Sequence, residues 1–271
     1  MRVVLHAGFH KTGTTSLQSA LIAHAPRLLP GICVQTRANS PTLADASEAA
    51  RVYSLLRDAE SKRLLREAVR VWLRGIELLP GQDLLVSSED FAGHMPGRQH
   101  VTDYHAAVTI AVVLARTLAR VFPGGDVQFL YTLRDPDPWL ASLHWQLAIN
   151  PQMLLDATSY ADRFANAVQV SPLLDDIRRA TGMPVHAVAL ETLQTRRLGP
   201  VEAMYDLAQI DDTLRASLPP VPARNQRTDP TLADVFVALN REDHPKPVLQ
   251  AAKAALMGKP KNPISPASRK R

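Results

Sequence analysis

One segment near the start of the chain constrains the fold more than any other. The apolar run Val3-Val4-Leu5 leads into the loop GFHKTGTTSLQ, and residues 14–25 then carry apolar side chains at helical spacing until Pro26. Strand, glycine-containing loop and helix follow one another with no intervening segment. This order is typical of α/β folds, in which such units repeat along the chain.

Strands and helices go on alternating through the rest of the sequence. Short apolar runs predict further strands at residues 32–36, 83–87, 127–133 and 185–190. Helical periodicity predicts helices at residues 14–25, 45–60, 62–79, 104–121 and 138–149, and near 200–209, 231–240 and 248–257. The predicted fold class is α/β, with a P-loop-like parallel β-sheet flanked by helices on both faces.

The chain has 271 residues, which suits one large domain, predicted over residues 1–257. Residues 258–271 form a basic, Pro/Ser-containing tail that is expected to be disordered. Five of the 31 basic residues lie in this tail, so the body has 26 basic against 26 acidic residues. Nucleic-acid binders usually carry a basic face on the folded domain. No nucleic-acid partner is therefore expected.

The location of the protein is constrained by hydropathy and by cysteine usage. No apolar run approaches the roughly 18 residues that a transmembrane helix requires. No signal peptide is expected, because a strand-like segment and the first loop follow Met1 closely. Cys33 is the single cysteine, which excludes an internal disulfide framework and a cysteine-rich zinc site. The expected location is the reducing cytoplasm.

The first loop has the glycine spacing of a phosphate-binding loop but a different lysine position. Gly8 and Gly13 match the G-x-x-x-x-G-K-[ST] pattern, whereas Thr14 takes the lysine slot and Lys11 lies inside the loop. Glycine allows close backbone approach, and the start of the following helix offers N–H groups to an anion. The predicted phosphate-binding residues are Lys11, Thr12, Gly13, Thr14, Thr15 and Ser16.

Polar residues follow each predicted strand. In a parallel sheet, ligands bind outside the carboxyl ends of the strands, so these residues are expected to meet at one edge. The candidates for an active site are therefore drawn from residues 6–16, 87–94 and 134–142 and from Glu191. Glu191 itself is interpreted as structural.

The segment KTGTTSL resembles the 5′-phosphosulfate loop of sulfotransferases that use 3′-phosphoadenosine 5′-phosphosulfate (PAPS). In LRDPDPWLASLHW, Arg134 and Ser142 have the eight-residue separation with which that family binds the 3′-phosphate. The pair also makes physical sense, because an arginine at a strand end can grip a phosphate with two hydrogen bonds. The resemblance covers most of residues 1–240. It implies PAPS as co-substrate and no metal, and no metal-ligand spacing such as H-E-x-x-H occurs among the nine histidines.

A general base is expected in LLVSSEDFAGH, because an alcohol must lose its proton as it attacks sulfur. Glu89 follows the strand at residues 83–87 and resembles the glutamate base of sugar-modifying sulfotransferases. Asp90 and His94 are alternatives, as is a carboxylate that only caps the next helix. The sulfotransferases of phenols and steroids use a histidine base and resemble this chain less here.

The resemblance therefore implies sulfuryl transfer from PAPS to an acceptor hydroxyl, of a carbohydrate or glycolipid, with a small alcohol as another option. Near the C-terminus, the resemblance implies that Arg224 or Arg227 reaches the 3′-phosphate; a solvated loop is the alternative. Two other functions stay open. A P-loop kinase or NTPase would hold magnesium at Asp90 or Asp135, and a silent nucleotide-binding protein would lack a competent base.

Overall fold

The computed structural model describes residues 1–29, 31–222 and 231–258. Its strands are Arg2–His6 (β1), Ile32–Thr36 (β2), Asp83–Ser87 (β3), Asp126–Leu133 (β4) and Val185–Ala189 (β5). They form one sheet in the order β2-β3-β1-β4-β5, and each neighbouring pair is parallel. All strands therefore end at the same edge, as the sequence predicts for a doubly covered α/β fold.

Helices cover both faces of this sheet. The helices of the described chain are Thr14–Leu28 (α1), Pro41–Leu56 (α2), Ala59–Arg74 (α3), Ala106–Val121 (α4), Pro136–Ala148 (α5), Ala157–Phe164 (α6), Ser171–Thr181 (α7), Leu190–Gln194 (α8), Glu202–Leu207 (α9), Asp212–Ser217 (α10), Leu232–Arg241 (α11) and Lys246–Leu256 (α12). Short 3₁₀ segments occupy Glu89–Ala92, Ala165–Val168 and Gly199–Val201.

The apolar run of β1 is continuous because both of its faces are buried. Val3 and Leu5 belong to one core, formed with α2 to α7 and α11, whereas Val4 belongs to the other, formed with α1, α8 and α9. Successive strand residues point to opposite faces, so only an unbroken apolar run can fill both cores. The predicted α/β architecture is confirmed.

Two helices at the β2 end of the sheet begin earlier than predicted. Helix α2 starts at Pro41 because the Ser40 side chain accepts a hydrogen bond from the Leu43 N–H at 3.3 Å. Helix α3 starts at Ala59 because Asp58 accepts from the Ser61 N–H at 2.7 Å. Serine and aspartate are preferred N-caps, so these starts follow from local chemistry.

The prediction that Pro26 ends the first helix was wrong. Helix α1 continues to Leu28, which is buried, and encloses Pro26. A proline in a helix leaves the carbonyl four residues earlier without its donor. That carbonyl belongs to Ile22, whose side chain is 41% exposed, so water can reach this turn. Helices α6, α7, α8 and α10 were not predicted.

Two further sequence predictions concern membrane-spanning helices and the C-terminal tail. No helix among residues 1–29, 31–222 and 231–258 combines the length and apolar character needed to cross a bilayer. Of the predicted tail at residues 258–271, Gly258 alone lies in the described part.

His6 ties the three central strands together. Its Nδ1 lies 2.8 Å from the Ser87 hydroxyl on β3, and its Nε2 lies 3.1 Å from the Thr132 hydroxyl on β4. The ring is fully buried, and burial lowers the pKa of His6 from 6.5 to about 3. The imidazole is therefore neutral at pH 7 and serves as a hydrogen-bonding bridge inside the sheet.

Acid should destabilise the protein through His6. Between pH 6.5 and 3 the unfolded chain binds a proton that the folded His6 does not, so the free energy of unfolding falls as the pH is lowered. One such group contributes up to about 1.4 kcal/mol per pH unit. Urea denaturation at several pH values measures this slope. His6→Gln can keep both hydrogen bonds but does not titrate, and its slope should be smaller by that amount. Equal slopes would contradict the assignment.

Candidate active site

The loop between β1 and α1 requires glycine at two positions. Gly13 has φ of 95°, and a Cβ there would lie 2.6 Å from Leu190 Cδ1. Gly8 has φ of 135°, and its Cβ would lie 3.0 Å from that of Ala92. Side chains at these positions would be both strained and crowded. The loop therefore lies closely against the elements around it, with its backbone at the start of α1.

The predicted phosphate-binding hydroxyls divide into two groups. Thr12 is fully buried, and its hydroxyl lies 2.6 Å from the Phe9 carbonyl and 2.7 Å from the Thr132 hydroxyl. This hydroxyl therefore anchors the loop to β4. Thr14 also donates to the Phe9 carbonyl, at 3.2 Å, but borders the open cleft with Thr15 and Ser16. The hydroxyl groups that border the cleft are therefore those at the start of α1.

Lys11 and Arg134 lie side by side at the carboxyl edge of the sheet. The Lys11 ammonium donates to the Gln146 side-chain carbonyl at 3.2 Å, which holds it across the cleft toward α5. Arg134 follows β4 directly and donates from Nη1 to the Lys11 carbonyl at 3.4 Å. The Arg134 Nε is buried with no hydrogen-bond partner in the described chain. An anion that binds Arg134 could satisfy this donor.

Ser142 lies on α5, in the same cleft as Arg134 and the loop. It is 6% exposed and lies two turns into the helix, whose start at Pro136 is preceded by Asp135. The Asp135 N–H donates to Glu191 Oε1 at 3.2 Å. Glu191 thus supports the start of α5, in keeping with the structural role predicted for it.

Glu89 is oriented by the helix that follows the phosphate loop. It begins the 3₁₀ segment after β3, and its Oε2 accepts a hydrogen bond from the Gln18 side chain of α1 at 2.9 Å. Gln18 also donates to the Ser87 carbonyl at 3.3 Å. The carboxylate is therefore fixed beside the loop and borders the cleft.

Asp90 lies next to Glu89 but has different surroundings. Its side chain is 4% exposed and contacts three cationic or basic groups: Arg37 on Oδ2, and His10 at 3.5 Å and Arg51 at 3.6 Å on Oδ1. Burial alone would raise the pKa of Asp90, but the hydrogen bond from His10 and the charges of His10, Arg51 and Arg37 outweigh it and lower the pKa. Asp90 is therefore a buried anchor for cations.

His94 is held neutral by its surroundings. Burial and the charges of Arg51 and Arg98 lower the pKa of His94 from 6.5 to about 4. Its backbone N–H donates to the Ser54 hydroxyl at 2.9 Å, which fixes the loop after the 3₁₀ segment to α2. At pH 7 the ring carries no charge.

These residues line one cleft of about 820 Å³ at the carboxyl edge of the sheet. It brings together most of the site residues predicted from the sequence: Lys11, Gly13, Thr14, Thr15, Ser16, Glu89, His94, Arg134 and Ser142. Thr12 lies beneath the loop, and Arg224 and Arg227 fall outside the described residues. The volume of the cleft lies within the range of about 300–1,000 Å³ that is usual for ligand-binding pockets.

Residues 3–183, more than half of the chain, match the model of a family described as a sulfotransferase domain. The chain belongs to the sulfotransferase family. Membership assigns sulfuryl transfer as the reaction class. The matched segment contains β1 to β4 together with Lys11, Glu89, Arg134 and Ser142.

Two further comparisons concern solved structures and curated proteins. A crystal structure of a sulfotransferase from Alicyclobacillus acidocaldarius is similar over 96% of this chain and 97% of that chain, with 15% sequence identity and a TM-score of 0.47. No curated protein matches the sequence.

The surroundings of Asp90 bear on the kinase alternative. A magnesium ligand at this position would need free carboxylate oxygens, but both oxygens of Asp90 contact Arg37, Arg51 or His10. Metal binding would have to displace those cations. Asp135, the other candidate, is exposed and directly follows Arg134. The arrangement of Asp90 thus favours an anion-binding cleft.

Several polar lining residues of the sulfotransferase cleft were not predicted individually, and five of them show why. Arg37 follows β2, so the rule that ligands lie beyond strand ends applies to it as well. His10 lies within the loop itself and was also open to prediction. The others have no recognisable signal, because they lie on helices or on a connecting segment far along the chain: Arg51, Arg98 and Gln146.

Proposed function

We propose that this sulfotransferase moves a sulfuryl group from PAPS to an acceptor hydroxyl of a carbohydrate or glycolipid. The observation that carries the proposal is the unpartnered Nε of Arg134, which lies in the same cleft as the phosphate loop and beside Lys11. A donor with a 5′-phosphosulfate and a 3′-phosphate needs two such anion sites close together. We expect cytoplasmic location, because the single cysteine fits a reducing compartment.

Two sets of residues would hold the two phosphates of the nucleotide. The backbone of the loop and the hydroxyls of Thr14 and Thr15 suit the 5′-phosphate, since they lie at the start of α1. Arg134 and Ser142 suit the 3′-phosphate. Gly13 keeps this loop packed against Leu190, because a Cβ at position 13 would lie 2.6 Å from Leu190 Cδ1.

The reaction follows from the positions of Lys11 and Glu89. The acceptor oxygen forms a bond to sulfur as the bond from sulfur to the bridging oxygen breaks, and 3′,5′-ADP leaves. Glu89 takes the proton of the acceptor hydroxyl. Lys11 stabilises the negative charge that develops on the bridging oxygen. A sulfuryl group carries less charge than a terminal phosphoryl group, so positioning and side-chain charge suffice without a metal in this proposal.

Nucleotide binding tests the proposal against the kinase alternative. We expect 3′,5′-ADP without metal to raise the melting temperature more than ATP with magnesium, because only 3′,5′-ADP carries the 3′-phosphate. A ligand at a hundredfold excess over Kd stabilises the folded state by about 2.7 kcal/mol. Thermal-shift measurements give the comparison. A larger shift with ATP and magnesium would favour a kinase or NTPase.

Arg134→Ala provides the matched variant for this test. It should weaken binding of 3′,5′-ADP by about 1.5–3 kcal/mol, the cost of losing a charge-assisted contact, and leave binding of 5′-AMP nearly unchanged. Isothermal titration of both nucleotides measures the difference. Equal weakening of the two would place the 3′-phosphate elsewhere.

Turnover separates an enzyme from a silent nucleotide-binding protein. Labelled sulfate supplied as PAPS should appear on a member of a library of carbohydrate, glycolipid and small-alcohol acceptors. A silent binder would show the 3′,5′-ADP shift without transfer to any acceptor.

A further inference from the structure

The cleft has a second wall that the nucleotide does not use in the proposed binding mode. It consists of Arg37 after β2, Arg51 on α2 and Arg98, and Asp90 connects Arg37 and Arg51 to His10 of the loop. We call Arg37, Arg51 and Arg98 the arginine wall. It lies on the Glu89 side of the cleft, because Glu89 and Asp90 are adjacent in the same 3₁₀ segment.

The arginine wall carries more positive charge than its neighbours neutralise. Asp90 is the one buried carboxylate here and contacts both Arg37 and Arg51. Arg51 also pairs with Glu48, whose side chain is 55% exposed and therefore well solvated. Arg98 has no ion-pair partner within the described ranges. Two guanidinium groups thus share one buried carboxylate, and Arg98 adds a third positive charge to the cleft lining.

Two of these guanidinium groups also have unused hydrogen-bonding capacity. The Nε atoms of Arg37 and Arg51 are buried with no hydrogen-bond partner in the part of the chain that the structure describes. Their side chains nevertheless remain 35% and 25% exposed, so the groups are open on one side. The Asp90 carboxylate contacts both guanidinium groups and so fixes their positions. An oxyanion in the cleft can accept from fixed, partly desolvated guanidinium groups at little cost in side-chain ordering.

We propose that the arginine wall binds an oxyanion on the acceptor, so that the acceptor is an acidic molecule with a carboxylate or ester sulfate near the reacting hydroxyl. This inference rests on the proposed function, since it takes the hydroxyl to be presented to Glu89. The neighbouring positions of Glu89 and Asp90 then place the acceptor anion beside the unit that reacts. The arginine wall selects the substrate, and Asp90 positions two of its members.

A matched pair of sugars tests the inference. The p-nitrophenyl β-D-glucuronide carries a carboxylate where the β-D-glucoside carries a hydroxymethyl group. Each sugar is titrated calorimetrically into protein saturated with 3′,5′-ADP. We expect the wild type to bind the glucuronide about tenfold or more tightly, as a charge-assisted contact predicts. The double variant Arg51→Gln/Arg98→Gln should lose most of this preference, because one of the three guanidinium groups remains. It leaves the Arg37 contact with Asp90 in place, so the buried carboxylate keeps a partner.

A control variant removes the same charge elsewhere. Arg66→Gln/Arg74→Gln changes two exposed arginines of α3, outside the cleft, and should keep the full glucuronide preference. Unchanged 3′,5′-ADP affinity in the Arg51/Arg98 variant shows that it is folded. Equal affinity of the wild type for the two probes, or an undiminished preference in that variant, overturns the inference.

Failure of the proposed function has a different signature. It appears as absent 3′,5′-ADP binding before any sugar is added. The same pair of probes on nucleotide-free wild type and Arg51/Arg98 variant then still tests the arginine wall, because only the difference between the two proteins is used.

Discussion

Lys11→Ala is expected to lower kcat about 10²–10³-fold, the scale observed when one preorganised charge-stabilising donor is removed. Lys11 lies inside the loop, held across the cleft by the Gln146 side chain at 3.2 Å and near Arg134. In the proposed reaction its charge acts on the bridging oxygen as the bond from sulfur to that oxygen breaks. Steady-state kinetics with an acceptor found by labelled-sulfate transfer measure the effect.

Binding of 3′,5′-ADP separates this role from simple attraction of the nucleotide. The bridging bond is already broken in 3′,5′-ADP, so Lys11→Ala should change kcat far more than the affinity for this product. Gln146→Ala is the matched control, because it removes the hydrogen-bond partner of Lys11 and leaves the charge in place. Loss of 3′,5′-ADP affinity with unchanged kcat would make Lys11 a binding residue only.

The strands were the most predictable part of the fold. Those at 32–36 and 83–87 have the predicted bounds, and β1 lies at the predicted apolar run. Parallel strands buried on both faces leave such runs in the sequence. Helices α6 and α7 were missed although α7 has a Pro in its first turn and is followed by Gly182 in the left-handed conformation. Their apolar residues contact a core formed by distant elements, which local periodicity does not specify.

The site was predictable where its residues follow strands. Lys11, Glu89 and Arg134 lie just beyond β1, β3 and β4, and the parallel sheet brings these ends together. The resemblance then supplied their expected roles. The inward turn of the Thr12 hydroxyl was not predictable, since it depends on the Thr132 side chain 120 positions away.

The arginine wall shows where the rule that ligand-binding residues follow strand ends does not apply. Arg51 lies near the middle of α2, where an arginine ordinarily indicates a solvated helix face. Arg51 belongs to the cleft because its guanidinium group lies 3.6 Å from the Asp90 carboxylate, which also contacts His10 of the loop at 3.5 Å. This arrangement joins residues from three separate segments. Only the folded structure shows that their charges face the cleft.

Glu89→Gln is expected to lower kcat about 10²–10⁴-fold, the range for loss of a general base, with affinity for 3′,5′-ADP nearly unchanged. Glutamine has the size of glutamate, and its amide oxygen can still accept the hydrogen bond that Gln18 now donates to Glu89 at 2.9 Å. The fold and the loop are therefore preserved, and only the capacity to accept a proton is lost. Steady-state kinetics and calorimetric titration of 3′,5′-ADP measure the two quantities.

Near wild-type turnover of Glu89→Gln would show that the base is another residue. Asp90 is poorly suited, because its oxygens contact three cationic or basic side chains. His94 would then be the residue to test. Because burial and the charges of Arg51 and Arg98 lower its pKa to about 4, His94 stays unprotonated through neutral and mildly acidic pH. Activity that depends on His94 would therefore fall only as the pH approaches 4, without an inflection near the ordinary histidine value of about 6.5.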